Sequence, residues 1–305
     1  MRLAFDVTHC TLCPRKCGAD RTQRAGFCGG RDTIRAARAA LHFWEEPCIS
    51  GTQGSGTVFF SGCPLHCRFC QNGVISAELT GMDITEERLA DIFLELQAQG
   101  AHNINLVTAG HFLPWVIPAL EAVKPQLRIP VVYNSGGYEL PETLRALDGL
   151  VDIYLPDFKF YDRETARKYA NEPDYPEIAE AALTEMLRQT GSPLLQDGLL
   201  KRGCIVRHLV LPGHRHESIA LLQHLAERFG TDTFLLSLMA QYTPMHEDAQ
   251  YPELNRRITK MEYNSVAETA AALGFDGFTQ EKTSAASSYT PDFGMQGIAS
   301  QDTAP

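Results

Sequence analysis

The chain has 305 residues, 44 % apolar and 21 % charged, which suits a globular α/β protein with a real core. A formal net charge of −10 argues against a general nucleic-acid binder, and no uncharged apolar run reaches membrane-spanning length. The opening MRLAFDVTHCTLCPRKC lacks a signal-peptide core, so a cytosolic, thiol-reducing location is expected.

In chain order, residues 1–48 read as a short cysteine-rich arm. Cys10, Cys13, Cys17 and Cys28 follow the pattern C-x2-C-x3-C-x10-C. Four thiolates complete a tetrahedral site, and an arm too short for its own core would draw folding energy from a metal. Spacing does not separate zinc from a second iron–sulfur cluster. The first 45 residues carry eight Lys/Arg and four Asp/Glu, a balance that suits either an acidic partner or a solvated surface. DTIRAARAALHFW fits a helix or a strand.

From residue 49 to 282, β-rich runs alternate with helical periods. The predicted strands are 57–62, 103–108, 129–134, 151–158, 204–211 and 232–239, each rich in β-branched or aromatic residues. Helices are predicted over 85–100, 176–191, 216–230 and 264–274 from apolar periodicity and their Thr, Pro and Gly boundary residues. Six such alternations imply parallel strands with right-handed crossovers, in a partial barrel or a doubly wound sheet. Either architecture places ligands at the carboxyl ends of the strands. The Ser/Ala/Gly-rich stretch 283–305 is expected to be a disordered tail.

The segment GTVFFSGCPLHCRFCQNG places Cys63, Cys67 and Cys70 directly after the first of these strands. Three readings compete. The cysteines share a helical face and would serve as small core residues, but Pro64, His66 and Arg68 make the segment polar. A structural zinc would need a fourth ligand from His66, Cys48 or farther away. A 4Fe–4S cluster, ordinarily held by four thiolates, would keep one iron open here for a reactant. Cys48 and Cys204 stand alone; Cys204, in an apolar run, reads as a buried structural thiol.

Cys63-x3-Cys67-x2-Cys70, with Phe69 before the last cysteine, resembles the signature of the radical S-adenosylmethionine (SAM) superfamily. Over about residues 50–275 the chain is similar to activating enzymes of glycyl-radical enzymes, above all to a pyruvate formate-lyase activating enzyme-like group that also carries CTLCPRKCGADR and AGFC. The resemblance implies a partial (βα)6 TIM-like barrel with a cysteine-rich arm. It also implies a 4Fe–4S cluster on Cys63, Cys67 and Cys70 that reductively cleaves S-adenosylmethionine to a 5′-deoxyadenosyl radical. That radical would take hydrogen from a substrate, which in the activating enzymes is a glycyl residue of a partner protein. A one-electron donor such as flavodoxin or ferredoxin is implied, with neither nucleic acid nor membrane as a partner.

The strand ending Asp157-x-Lys159 matches the activating-enzyme pattern. There the aspartate helps bind a cation beside the sulfonium, and the lysine lies near the cofactor. The two residues point to one side of a strand, where a charged pair needs a partner or a ligand. Arg207, in VRHLVLPG, would face inward, and its fork suits the cofactor carboxylate or a barrel ion-pair network. Thr108-Ala109-Gly110-His111 stands in place of the family's Gly-Gly-Glu run, so only Thr108 and Gly110 carry over as cofactor contacts. Asn134 and Ser135 replace Asp and Thr at the cation site. His66, Gln241 and Tyr242 are further candidates near the site, and His208 is expected to face the helices. The competing class is a non-catalytic, zinc-stabilised interaction module on a βα scaffold; an electron carrier is a third.

Overall fold

The computed structural model describes residues 5–245, 247–280 and 291–299. The chain runs β1 (Ile34–His42), α1 (Pro47–Ser50), β2 (Ser55–Phe60), α2 (Gly73–Ser76), β3 (Met82–Ile84), α3 (Glu86–Ala98) and β4 (Ile104–Val107). It continues through α4 (Leu113–Val123), β5 (Val131–Ser135), α5 (Pro141–Leu144), β6 (Ile153–Pro156), α6 (Arg163–Ala170), α7 (Tyr175–Thr190) and β7 (Leu194–Gln196). It closes with β8 (Leu199–Leu209), α8 (Arg215–Phe229), β9 (Leu235–Met239), α9 (Lys260–Leu273) and β10 (Gly277–Thr279).

The sheet order is β10-β9-β8-β6-β5-β4-β2-β1-β3, with β7 hairpinned onto β8. From β2 to β10 the main strands pair in parallel, while β1 and β3 are antiparallel additions at one end. Among the described residues the two ends of the sheet do not pair with each other, and its inner face surrounds a cavity, so the architecture is a partial TIM-like barrel.

All six predicted strands are present. Alternation along them sorts the residues. Tyr133, Tyr154, Cys204, Val206, Leu236 and Leu238 pack outward in the main core with the helices. Val132, Ile153, Leu155 and Ile205 point inward and pack on Cys48 and Ile49 of α1, which fills the floor of the barrel. Cys204 is fully buried in the main core, as its apolar run implies.

Three of the departures from the pattern read in the sequence have a clear physical reason. DTIRAARAALHFW resolves as strand: β1 lies within the residues read as an arm but pairs with β2 and β3 in the main sheet. Its burial pattern is set by neighbours on both sides, so it shows no simple alternation. Helix α4 escaped detection because Pro114 and Pro118 interrupt its text, although Pro118 lies inside the helix. Residues 291–299, part of the stretch expected to be disordered, lie along β1, while the rest of that stretch, apart from these nine, falls outside the described residues. The Met295 amide donates to Ala37 O and the Ala39 amide to Gln296 O, Ile298 is fully buried, and Arg88 donates to the carbonyls of Gly297, Ile298 and Ala299. One buried apolar side chain and a row of unpaired β1 groups suffice to seat a segment whose composition looks unstructured.

Truncating Ile298 to Ala is therefore expected to cost about 2–4 kcal/mol in urea unfolding of the full chain, as for a packed core residue. A change within about 0.5 kcal/mol, the range of ordinary surface substitutions, would mean that the segment is not docked.

Candidate active site

The carboxyl ends of the parallel strands ring a cavity of about 870 Å³. Cys63, Cys67 and Cys70 line it from the loop after β2, Thr108 from the end of β4, and Asn134 and Ser135 from β5. Asp157 and Lys159 line it from beyond β6, Arg207 and Leu209 from β8, and Gln241 from beyond β9. The structure thus gathers residues spread over nearly 180 positions of sequence onto one surface.

The loop from Gly62 to Asn72 is largely without regular structure, so its shape comes from specific contacts. Gly62 sits at φ +90°, and a side chain there would come within 2.3 Å of Cys28 O. The three thiols are half-buried, and no disulfide joins them. Burial pushes the Cys63 thiol up to about 11, with Cys70 adding to it. Burial also raises Cys67, against the pull of Lys159. Such thiols give up their protons when a metal takes the charge.

Among the described residues, no His, Cys, Asp or Glu side chains are grouped as ligands of a single metal ion. A cluster differs from an ion in taking each thiolate at a different iron. The donor set fits one: three cysteines of one loop, at the end of a parallel sheet, facing a cavity large enough for a second ligand.

Asp157 and Lys159 form an ion pair with each other. Burial works against the Lys159 ammonium, but Asp157, Cys67 and Cys70 outweigh it and hold its pKa above the ordinary value. The backbone around the pair is fixed by Tyr175, whose hydroxyl accepts from the Lys159 amide at 2.8 Å and donates to Gly136 O at 2.9 Å. Gly137, at φ +74°, lets the β5 loop close on β6, since a side chain there would come within 2.2 Å of Asp157 O.

Arg207 also lines the cavity, but its fork is engaged by the protein's own carboxylates. Glu46 accepts from Nε at 2.8 Å and from Nη2 at 2.6 Å, and Glu45 accepts from Nη2. Both glutamates lie between β1 and α1, and both side chains are at least nine-tenths buried. Burial opposes charge on Glu46, yet Arg207 overrides it and holds the carboxyl below its usual range. Asn105 donates to Glu45 at 2.9 Å and Asn134 at 3.4 Å, so the cavity floor is one polar network. Of the two readings of Arg207, the internal network is the one the geometry displays.

Of the other candidates, only some reach the cavity. Gly110 does not line the cavity; a side chain there would come within 2.8 Å of the buried Tyr133 hydroxyl, so glycine is kept by packing. Tyr242 is buried and donates to Leu254 O at 2.6 Å. His208 faces α8, contacting Phe158 O and Ser218 Oγ. His66 lines the cavity and stacks on Phe27 with ring centroids 4.8 Å apart.

Thr108 is unusual. A β-branched residue at φ +59° is a backbone outlier, of the kind that costs roughly 1–3 kcal/mol and concentrates at functional sites. Its amide donates to Asn134 O at 2.8 Å. His111, next after Gly110, is fully buried and neutral, its pKa lowered to about 4 chiefly by burial, and its Nε2 donates to Ser61 O at 2.8 Å just before the cysteine loop.

The cysteine pattern, the cavity and the strand-end polar residues coincide with a match to the radical SAM superfamily model over residues 57–226. The chain belongs to the radical SAM superfamily. It is 28 % identical over 276 residues to the uncharacterized protein MJ0674 of Methanocaldococcus jannaschii, covering 88 % of this chain and 76 % of that one. Among solved structures, methylornithine synthase (PylB) superposes with a TM-score of 0.48 at 15 % identity over 70 % of this chain. The superposition spans 63 % of the synthase, less than two thirds of its length.

Glu139, overlooked in the sequence, lies behind the cavity wall and contacts Ser135 Oγ through Oε2 at 3.1 Å. Burial raises its carboxyl to about 8, so it is protonated near neutrality. An acid whose folded pKa is raised favours folding most below its unfolded pKa, and that advantage is lost as pH rises through the folded value. From about 4.5 to about 8 the ionising unfolded chain gains on the folded one by roughly 5 kcal/mol. In Glu139→Gln this loss should disappear: urea midpoints at pH 5 and pH 8.5 should converge relative to the parent. An unchanged difference would show that Glu139 titrates normally.

Proposed function

We propose that this protein is a radical S-adenosylmethionine enzyme in which Cys63, Cys67 and Cys70 hold a 4Fe–4S cluster. The observation that carries the reading is the convergence of these three thiols with Thr108, Asn134, Asp157 and Lys159 on one cavity. When bound, such a cluster supplies one electron for reductive cleavage of the sulfonium, and the resulting radical takes hydrogen from a substrate.

The chain's own groups do the positioning. Lys159, held charged by Asp157, presents an ammonium to the thiolate side of the cavity and limits the negative charge gathered there. Asn134 and Thr108 offer polar groups at the strand ends, where the amino acid part of the cofactor would need orientation. Arg207, Glu45 and Glu46 keep the floor rigid without leaving the arginine fork free for a ligand carboxylate. Phe69, 8 % exposed beside Cys70 and packed edge-on against Phe160, Tyr169 and Tyr242, anchors the cysteine loop on the core.

The finer reading rests on the resemblance to glycyl-radical activating enzymes. In it, the hydrogen donor is a glycyl residue of a partner protein, and a flavodoxin or ferredoxin supplies the electron. The cavity mouth carries Phe43 and Trp44, about half exposed, which suits contact with a partner. The cysteines of the arm, Cys10, Cys13, Cys17 and Cys28, are read as a second centre, zinc or iron–sulfur.

In Cys67→Ala, reconstituted without oxygen, iron at the loop and the formation of 5′-deoxyadenosine should both fall to background. The checks are iron and sulfide analysis together with mass spectrometry of the nucleoside product. Product at parental levels in this variant would sink the ligand assignment.

A further inference from the structure

The arm and the cysteine loop are built against each other. The Cys28 carbonyl accepts a 3.0 Å hydrogen bond from the Cys63 amide, which ties a cysteine of one group to a cysteine of the other through a single contact. Arg15, between Cys13 and Cys17, turns into the loop: Nε donates to Pro64 O at 2.8 Å and Nη2 to Leu65 O at 3.4 Å. The same Nη2 reaches Ala170 O at 3.3 Å at the end of α6, and Nη1 pairs with Glu172. The guanidinium lies 4.1 Å from the Phe27 ring centroid, and Phe27 stacks in turn on His66, a non-glycine residue at φ +52°.

The contacts answer a physical need. Pro64 and Leu65 lie in irregular backbone, outside any strand ladder, and a half-buried carbonyl without a donor is costly. Arg15 supplies donors to both from a planar, always charged group whose fork is pre-organised. The arm from residue 5 to 33 has neither helix nor strand, so it cannot be rigid by its own ladders. Its order comes instead from contacts such as those of Arg15 and the Cys28 carbonyl with the loop. A side chain at Gly26 would come within 3.6 Å of both Cys17 Sγ and Cys28 Sγ, so the two thiols flank this glycine.

We propose that the four-cysteine segment is a clamp that seats the loop of Cys63, Cys67 and Cys70, with Arg15 as the positioning residue. The inference rests on reading the loop as the cluster site, but it makes a claim about backbone order that can be measured without turnover.

The experiment is amide hydrogen exchange on the full-length protein, comparing the parent with Arg15→Ala and Cys13→Ser. Residues 62–70 should exchange at least tenfold faster in both variants, while β4 and β6 keep parental protection. After anaerobic reconstitution, both variants should also retain less iron at the loop, and the reduced paramagnetic signal should lose its response to added S-adenosylmethionine. Parental exchange of 62–70 in both variants would overturn the clamp. Should Arg15→Ala lose protection in the strands as well, Phe27→Ala, which removes only ring contacts, decides by the same comparison. If the parent itself shows no cluster signal, the functional reading fails, while the exchange rates still decide the clamp.

Discussion

The structure depends on holding an irregular loop with three thiols over the carboxyl end of a parallel sheet. Nothing in the loop can do this alone. It has no continuous ladder, it bends at glycine 62 and at a strained histidine, and half-buried thiols gain little by packing. Its order is borrowed. Phe69 is sunk in an aromatic cluster, the Arg68 amide bonds Tyr169 O, and the arm supplies Arg15 and the Cys28 carbonyl. Backbone groups that no ladder satisfies must find partners elsewhere, and here the partners come from the arm and from α6 in the middle of the chain.

The same logic runs through the floor of the cavity. Arg207, Glu45 and Glu46 are buried together, and charges so placed persist only if each is paired. A single buried guanidinium is shared by two carboxylates, with Asn105 and Asn134 donating to Glu45. Because the turn leading into α1 brings the acids and β8 the base, the network locks the plug to the barrel wall. Cys48 and Ile49 contribute the apolar half of that lock against Val132, Ile153, Leu155 and Ile205. Removing one member would strand the others, which makes this network a structural commitment before it is anything else.

What was legible in the sequence was local. β-branched runs and helix boundaries marked the six strands and four of the long helices, and the spacing of Cys63, Cys67 and Cys70 pointed to a loop that lines the candidate site. Asp157 and Lys159 were readable because two residues apart on a strand share a face. What was not legible is long-range. Arg207 meets Glu45 and Glu46 across some 160 positions, and Arg15 meets Pro64 across 49, so no periodicity announces either. Helix α4 was hidden by its own prolines. Residues 291–299 were hidden by a composition that looks disordered until the open flank of β1 is there to receive it.

The replacement of the family's Gly-Gly-Glu run by Thr108-Ala109-Gly110-His111 acquires a physical sense from these contacts. His111, neutral and buried, spends its Nε2 proton on Ser61 O, and its own carbonyl accepts from the buried Arg21 of the arm. The segment after β4 has thus been drawn into the support of the cysteine loop. A carboxylate does come near, in Glu139, but burial keeps it protonated and Ser135 stands between it and the cavity. In the proposed function, the polar work that a charged side chain would do at this strand end would fall to Thr108, held in a strained conformation beside Asn134, and to Lys159 across the cavity. Such recognition by neutral and cationic groups would fit a floor whose carboxylates Glu45 and Glu46 are already committed to Arg207.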